Sequence, residues 1–264
     1  MATLATQSHE PEVMLELDRV SKRFGGLVAV NELSFQVRRG QVLGLIGPNG
    51  AGKTTVFNLI SGISPATSGQ VKLGGQVVTG RPPHQIAQLG LARTFQEIHL
   101  FKGLSVLDNV KAAAYRGTHY SLLEALTWLG RTGRQERQLT AEAMTLLGRF
   151  GLADFAKAQA DDLPYGLQKR LEVVKALITH PKVLLLDEPA AGLNTDETFE
   201  LLELIKEVRR EFGLTVLVIE HAMEVIEGIS DHVVCINFGT KLAEGNWDEV
   251  HTNEEVIRCY LGVD

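Results

Sequence analysis

The chain of 264 residues is long enough for one large domain, or for two lobes that share a sheet. Apolar residues make up 44% and charged residues 22%, the balance of an ordinary water-soluble globular protein. The 26 Lys and Arg against 32 Asp and Glu leave a net charge of −6, which argues against nucleic acid as a partner, because that affinity comes from cations neutralising phosphates.

Residues 1–12 are polar, lack an apolar core and predict a disordered leader, neither an export signal nor an anchor. Residues 13–20 and 33–37 alternate apolar and polar side chains, as half-buried antiparallel strands do. Residues 41–46 form a nearly continuous apolar run that ends in Gly47, and 71–78, broken by Gly74-Gly75, predict a hairpin. A short strand is expected over 92–95. From 105 to 149 apolar residues recur at spacings of three and four, which predicts helices. Within that stretch the basic, glycine-containing residues 130–138 predict a solvated turn between helices.

Beyond Gly166 the pattern alternates between classes: a helix over 167–179, a strand over 183–186, a helix over Thr195–Phe212 and a strand over 214–219. Continuous apolar strands separated by helices imply a parallel sheet covered on both faces, with the helical middle of the chain inserted into an α/β core. No apolar run approaches the roughly 18 residues that span a bilayer, so membrane association is expected to come through a partner. Cys235 and Cys259 are too few for a disulfide framework and read as reduced, apolar packing residues.

Gly47-Pro48-Asn49-Gly50-Ala51-Gly52-Lys53-Thr54 fits the phosphate-loop pattern G-x-x-x-x-G-K-[ST], with Thr55 following. Glycines let the main chain curl so that successive N–H groups face an anion, and the helix expected from Lys53 adds the positive end of its dipole. Lys53 is the residue expected at the β- and γ-phosphates of ATP, and the Thr54 hydroxyl at Mg²⁺. The pattern follows a predicted strand and opens a predicted helix, which is the context the motif requires.

The apolar strand over 183–186 runs into Asp187 and Glu188, two carboxylates at the end of a parallel strand, where such sheets bind ligands. Asp187 is expected to hold Mg²⁺ and Glu188 to polarise the attacking water. The next strand ends in Glu220-His221, which places His221 near the γ-phosphate. The other histidines read as ordinary packing or surface residues.

Taken together these residues resemble the ATP-binding cassette (ABC) ATPases over nearly the whole chain, from about residue 13 to 264. The resemblance implies a P-loop NTPase α/β core with a mixed sheet, an antiparallel β subdomain and an inserted helical subdomain. Core and β subdomain would occupy about 13–95 and 167–250, the helical subdomain about 96–166, and a tail 251–264. It also assigns Gln96 as the Q-loop glutamine that senses Mg²⁺, Phe24 as the aromatic stacked on adenine, and Ala190-Ala191-Gly192-Leu193-Asn194 as the D-loop. Glu188 and His221 become the catalytic glutamate and the switch histidine. A narrower resemblance, to the LivG-like ATPases of branched-chain amino-acid importers, rests on Phe24-Gly25-Gly26-Leu27, Arg93-Thr94-Phe95-Gln96, Ile219-Glu220-His221 and the tail Val256-Ile257-Arg258-Cys259-Tyr260-Leu261-Gly262.

The signature segment departs from the usual ABC pattern Leu-Ser-Gly-Gly-Gln and from the LivG-like variant resembling Leu-Ala-Tyr-Gly-Gln: Leu163-Pro164-Tyr165-Gly166-Leu167-Gln168 carries proline where the usual serine would offer a hydroxyl and an N–H to nucleotide on an opposing subunit. The family organisation implies a head-to-tail ATPase dimer with Pro164, Tyr165 and Gly166 facing the partner's ATP. It further implies separate transmembrane permease subunits docking near 96–109, including Phe101, Leu104 and Val106, a periplasmic or extracellular solute-binding protein acting indirectly, and a place on the cytoplasmic face of a prokaryotic membrane. Another solute (urea, short amides or exported lipid) and a nucleotide-dependent switch with little turnover are the alternatives.

Overall fold

The computed structural model describes residues 12–114 and 131–261. Expectations for residues 1–11, 115–130 and 262–264 lie outside the described residues. Glu12, read with the leader, is joined to the fold through its carbonyl, which accepts from Arg39 N–H at 2.7 Å.

Two sheets form the scaffold. Strands β1 (Val13–Phe24), β2 (Leu27–Arg38), β4 (Ser68–Leu73) and β5 (Gln76–Val77) make an antiparallel sheet in the order β2-β1-β4-β5. The β4–β5 turn is the expected glycine pair, with Gly74 at φ 53° and Gly75 at φ 77°, the left-handed conformations that a two-residue hairpin requires.

The second sheet has six strands in the order β10-β9-β3-β8-β7-β6. They are β3 (Val42–Ile46), β6 (Leu91–Arg93), β7 (Val183–Asp187), β8 (Thr215–Ile219), β9 (His232–Asn237) and β10 (Thr240–Gly245). β3, β7 and β8 are buried along their whole length, as strands covered on both faces must be. Pairing is parallel from β6 through β9, and β10 runs antiparallel at the edge, so the sheet is mixed.

Alternate residues of these strands feed two cores. Ile46, Leu184, Leu186, Val216, Val218 and Cys235 point into one cluster; Leu45, Val183, Leu185, Leu217, Ile219 and Ile236 point into the other. The second cluster also takes the inner face of the antiparallel sheet and Val56, Phe57 and Ile60 of α1 (Lys53–Ile60). The first is closed by α3 (Val106–Ala114), α4 (Arg131–Arg149), α5 (Tyr165–Leu177), α6 (Thr195–Phe212), α7 (Met223–Ile229), α8 (Trp247–His251) and α9 (Glu254–Leu261). A short α2 (Pro83–Gln88) lies between β5 and β6.

The turn expected over 130–138 is corrected over its described part: α4 begins at Arg131 and runs on through 138. One glycine in a helix costs only about 1 kcal/mol. The buried residues Ala143, Leu146 and Leu147 give the rest of α4 a face to pack, and the Lys111–Glu136 ion pair ties its first turns to α3. Val106, expected on an exposed docking surface, is also corrected, since it is fully buried at the start of α3. Phe101 and Leu104 are exposed.

Candidate functional site

The loop between β3 and α1 is built on left-handed glycines: Gly47 at φ 152°, Gly50 at φ 81° and Gly52 at φ 105°. A Cβ on Gly47 would lie 2.1 Å from Ile236 O, and one on Gly52 would lie 2.5 Å from Ala29 O. Backbone shape and close approach therefore both demand glycine at these two positions. The buried Lys53 threads back across the curl, its Nζ donating to Gly47 O at 2.6 Å and Pro48 O at 3.1 Å. Burial holds this ammonium below its usual pKa, and Glu188, Cys235 and Asp187 oppose the shift. Thr54 is exposed and Thr55 half-buried in the first turn of α1, where the leading N–H groups of a helix have no intrahelical acceptor. A cradle that excludes Cβ atoms, a helix N-terminus and a positioned ammonium fit a polyphosphate.

Asp187 ends β7 and is buried. Its Oδ2 accepts from Arg93 Nη2 at 2.8 Å. Arg93 also donates to Asn58 Oδ1 at 2.8 Å and to Ser61 Oγ at 3.0 Å, and its guanidinium lies over the rings of Phe57 and Phe95. Arg93 thus joins α1, which opens at the phosphate loop, to the carboxylate strand. Asp187 and Thr54 supply oxygen donors of the kind Mg²⁺ takes, and Mg²⁺ needs few protein ligands when phosphates complete its shell.

Glu188 follows in the left-handed region at φ 49°, a conformation uncommon for a residue with a side chain. Its N–H donates to Ile219 O at 2.9 Å. The carboxylate is held from two sides: Gln96 Nε2 donates to Oε2 at 2.9 Å, and His221 Nε2 lies 2.9 Å from Oε1. Residues from three separate segments, Gln96, Glu188 and His221, therefore converge on one carboxylate.

Pro164 is the N-cap of α5, with no side-chain cap. Tyr165 is exposed and its hydroxyl donates to Ala191 O at 3.3 Å. Gly166 is buried, and a Cβ there would meet Glu197 Oε1 at 2.7 Å. Within this chain the signature residues thus pack on the 190–194 segment rather than on the phosphate loop. Asn194 caps α6 in a reciprocal capping box with Glu197. Phe24 stands exposed at the β1–β2 turn under the Lys22 ammonium, 4.8 Å from the ring centroid.

Three residues here were not singled out from the sequence. The sequence offers Arg93 only as part of the Gln96 motif, yet a cation closing a short apolar strand is itself a sign of a buried partner. Glu220 is buried and accepts from Ala190 N–H at 2.8 Å and from its neighbour His221 N–H at 3.2 Å. Burial pushes its carboxyl pKa up against those hydrogen bonds. Lys169 is buried beneath the site and donates to two main-chain carbonyls. The tail also reaches the loop: the Tyr260 oxygen faces the Gly47 main-chain amide, and burial raises its pKa.

A cavity of about 570 Å³ lies elsewhere, lined by Met14, Arg149, His180, Lys182, Phe212 and Leu214. It sits at the amino ends of β7 and β8, away from the carboxyl ends where open α/β sheets hold ligands.

Residues 30–191 match the family model described as ABC transporter, and the chain belongs to that family. It is an ATP-hydrolysing transporter subunit of the ABC class. The chain is 43% identical over 249 residues to the high-affinity branched-chain amino acid transport ATP-binding protein BraF of Pseudomonas aeruginosa, covering 94% of this chain and 98% of that protein. Identity and coverage are the same for the protein named LivG of Escherichia coli. Among solved structures, the ADP conformation of an ATP-binding cassette of an ABC transporter superposes with a TM-score of 0.82 at 29% identity, covering 95% of this chain and 99% of that one. A nucleotide-free cassette gives 0.82 at 28% identity, covering 94% and 98%.

Proposed function

We propose that this chain is the ATPase of an importer for branched-chain or related amino acids, and that it works as one half of a head-to-tail ATPase pair beneath separate membrane subunits. The observation that carries the reading is the Glu188 carboxylate, held between Gln96 and His221 at the end of β7, in the same sheet whose β3 opens the Lys53 loop. The solute is argued from the printed names of the relatives at 43% identity over 94% of the chain.

Lys53 exchanges its present acceptors, Gly47 O and Pro48 O, for phosphate oxygens, with the amides of residues 49–55 around them. Phe24 supplies an exposed ring for the base. Mg²⁺, when bound with the triphosphate, neutralises charge that grows on the transferring phosphoryl oxygens. Thr54, Asp187 and Gln96 are the residues that would hold it. Glu188 would orient water and take its developing proton, and His221, whose Nε2 lies 2.9 Å from that carboxylate, would turn an N–H to the γ-phosphate once nucleotide is bound.

Pro164, Tyr165 and Gly166 would face the partner's nucleotide at the start of α5. The segment 96–109 at the start of the helical lobe (about 96–166) would carry the permease contact, with Phe101 and Leu104 exposed for it and the buried Val106 left out. No helix among the described residues is long and apolar enough to cross a membrane; the place at the cytoplasmic face is argued from the transport subunits it resembles. The test is reconstitution with the permease subunits and solute-binding protein of a branched-chain amino-acid importer. ATP-dependent uptake of leucine, lost with Glu188→Gln, supports the reading; ATP turnover with no amino-acid uptake overturns the assigned solute.

A further inference from the structure

Lys169 lies in the second turn of α5, the helix that begins at the signature segment, and is 3% exposed. Its ammonium makes no ion pair with a carboxylate among the described residues. It donates instead to Gln96 O at 3.1 Å and Glu188 O at 3.2 Å. Those are the two residues whose side chains meet at 2.9 Å in the site.

Burying a cation is costly unless its donors are used, and here they are used on two main-chain carbonyls, one from each reacting segment. Glu188 needs such support, because its φ of 49° is held only if its flanking peptides are fixed. Its N–H is fixed by Ile219 O; its carbonyl accepts both from Ala191 N–H, within its own turn, and from Lys169 Nζ, each at 3.2 Å, and of these two only Lys169 ties it to another segment. We propose that Lys169 is a positioning residue for ATP hydrolysis: one ammonium sets the main chains of Glu188 and Gln96 together and ties both to the helix that starts at Pro164. A shift of α5 against β7 would then move the carboxylate that orients water, so the signature end of this subunit reports to its own hydrolytic site. The inference rests on the ATPase reading above and adds a residue to it.

The groups around the ammonium are consistent with a positioning cation rather than a pair. Glu220 directly follows β8, Asp187 ends β7 with Glu188 just beyond it, and Glu172 lies one turn along α5 in an ion pair with Lys175. Tyr165 sits one turn earlier, its ring 5.9 Å from Nζ.

The test compares Lys169→Met, Lys169→Arg and wild type in three measurements: steady-state ATPase kinetics, affinity for a non-hydrolysable Mg-ATP analogue, and amide hydrogen exchange. In Lys169→Met, kcat is expected to fall more than about tenfold while analogue affinity changes less than about twofold, the pattern of an interaction lost from the chemical step. Exchange at the amides of 95–98 and 188–191 should rise more than about tenfold. Lys169→Arg, which keeps charge and donors, should recover part of kcat and of the protection. Wild-type kcat and protection in Lys169→Met would overturn the proposal, as would equal losses of kcat, affinity and thermal midpoint. Should Lys169→Met fail to fold, Lys169→Arg decides by the same exchange signal, retained protection supporting the proposal and lost protection overturning it. If wild type shows no turnover, the ATPase reading fails on its own, and the exchange change in Lys169→Met still decides whether the clamp exists.

Discussion

Arg93 and Asp187 form an ion pair of 2.8 Å with side chains only 6% and 5% exposed. The guanidinium also holds Asn58 of α1 and Ser61 at its C-cap, so this one pair joins the phosphate-loop helix to the carboxylate strand. Removing one member of a buried pair leaves the other charged and unpartnered, at a cost of about 3–5 kcal/mol. Arg93→Met is therefore expected to lower unfolding free energy by roughly 3 kcal/mol, or the thermal midpoint by roughly 6–12 °C for a chain of this size. Urea denaturation of the two proteins checks it, and an unchanged midpoint would show that the pair adds nothing.

Gly47 and Gly50 are expected to respond differently to alanine, although both lie at positive φ. A Cβ at Gly50 meets nothing within 4 Å, whereas at Gly47 it meets Ile236 O at 2.1 Å. Gly50→Ala should cost only the left-handed strain of about 1–2 kcal/mol. Gly47→Ala should cost more, because β9 or the loop has to move, and it should also weaken nucleotide binding by displacing the acceptors of Lys53. Paired melts and nucleotide titrations decide; equal losses in the two variants would refute the packing argument.

How far the sequence foretold the site depends on the range of the contacts. The phosphate loop and the strand ending in Asp187-Glu188 were legible because local spacing encodes them, and α1 begins at Lys53 as expected. Lys169 and Glu220 were not, because what marks them is burial beside main-chain groups far along the chain, which spacing does not record. The turn read over 130–138 failed for a related reason. Its charges and glycine are local signals, and the helix α4 is set by packing further along at Leu146 and Leu147. Asn194, read from family likeness as part of a loop, proves to be the N-cap of α6, a role its side chain and Glu197 three residues on could have announced.

Glu220 makes stability depend on pH with a definite sign. Its pKa is raised in the folded protein by burial, so between the unfolded value of 4.5 and the folded value the native state binds more protons than the unfolded state. Stability from this group is complete below that window and declines as pH rises through it. In Glu220→Gln the decline should vanish, since the amide does not titrate. Melting of both proteins from about pH 4.5 upward tests this, with the wild type expected to lose ground relative to Glu220→Gln as pH increases. Parallel curves would mean that the two N–H donors of Ala190 and His221 already offset the burial.

Pro164→Ser tests the unusual signature segment in two ways. Pro164 occupies the N-cap of α5 with extended backbone at ψ 147° and no side-chain acceptor for the first N–H groups. Serine in that geometry can accept from N2 or N3, a gain of about 1 kcal/mol in stability. It also restores a hydroxyl and an N–H at the position proposed to face the partner's γ-phosphate, so ATP-driven dimerisation should strengthen. In a Glu188→Gln background with Mg-ATP, sedimentation should show more dimer for Pro164→Ser at equal concentration, while the melt without nucleotide reports the cap alone. A higher midpoint with no change in dimer would assign the serine a capping role only. No change in either would leave proline as good as serine at the start of this helix and remove the reason to regard the segment as weakened.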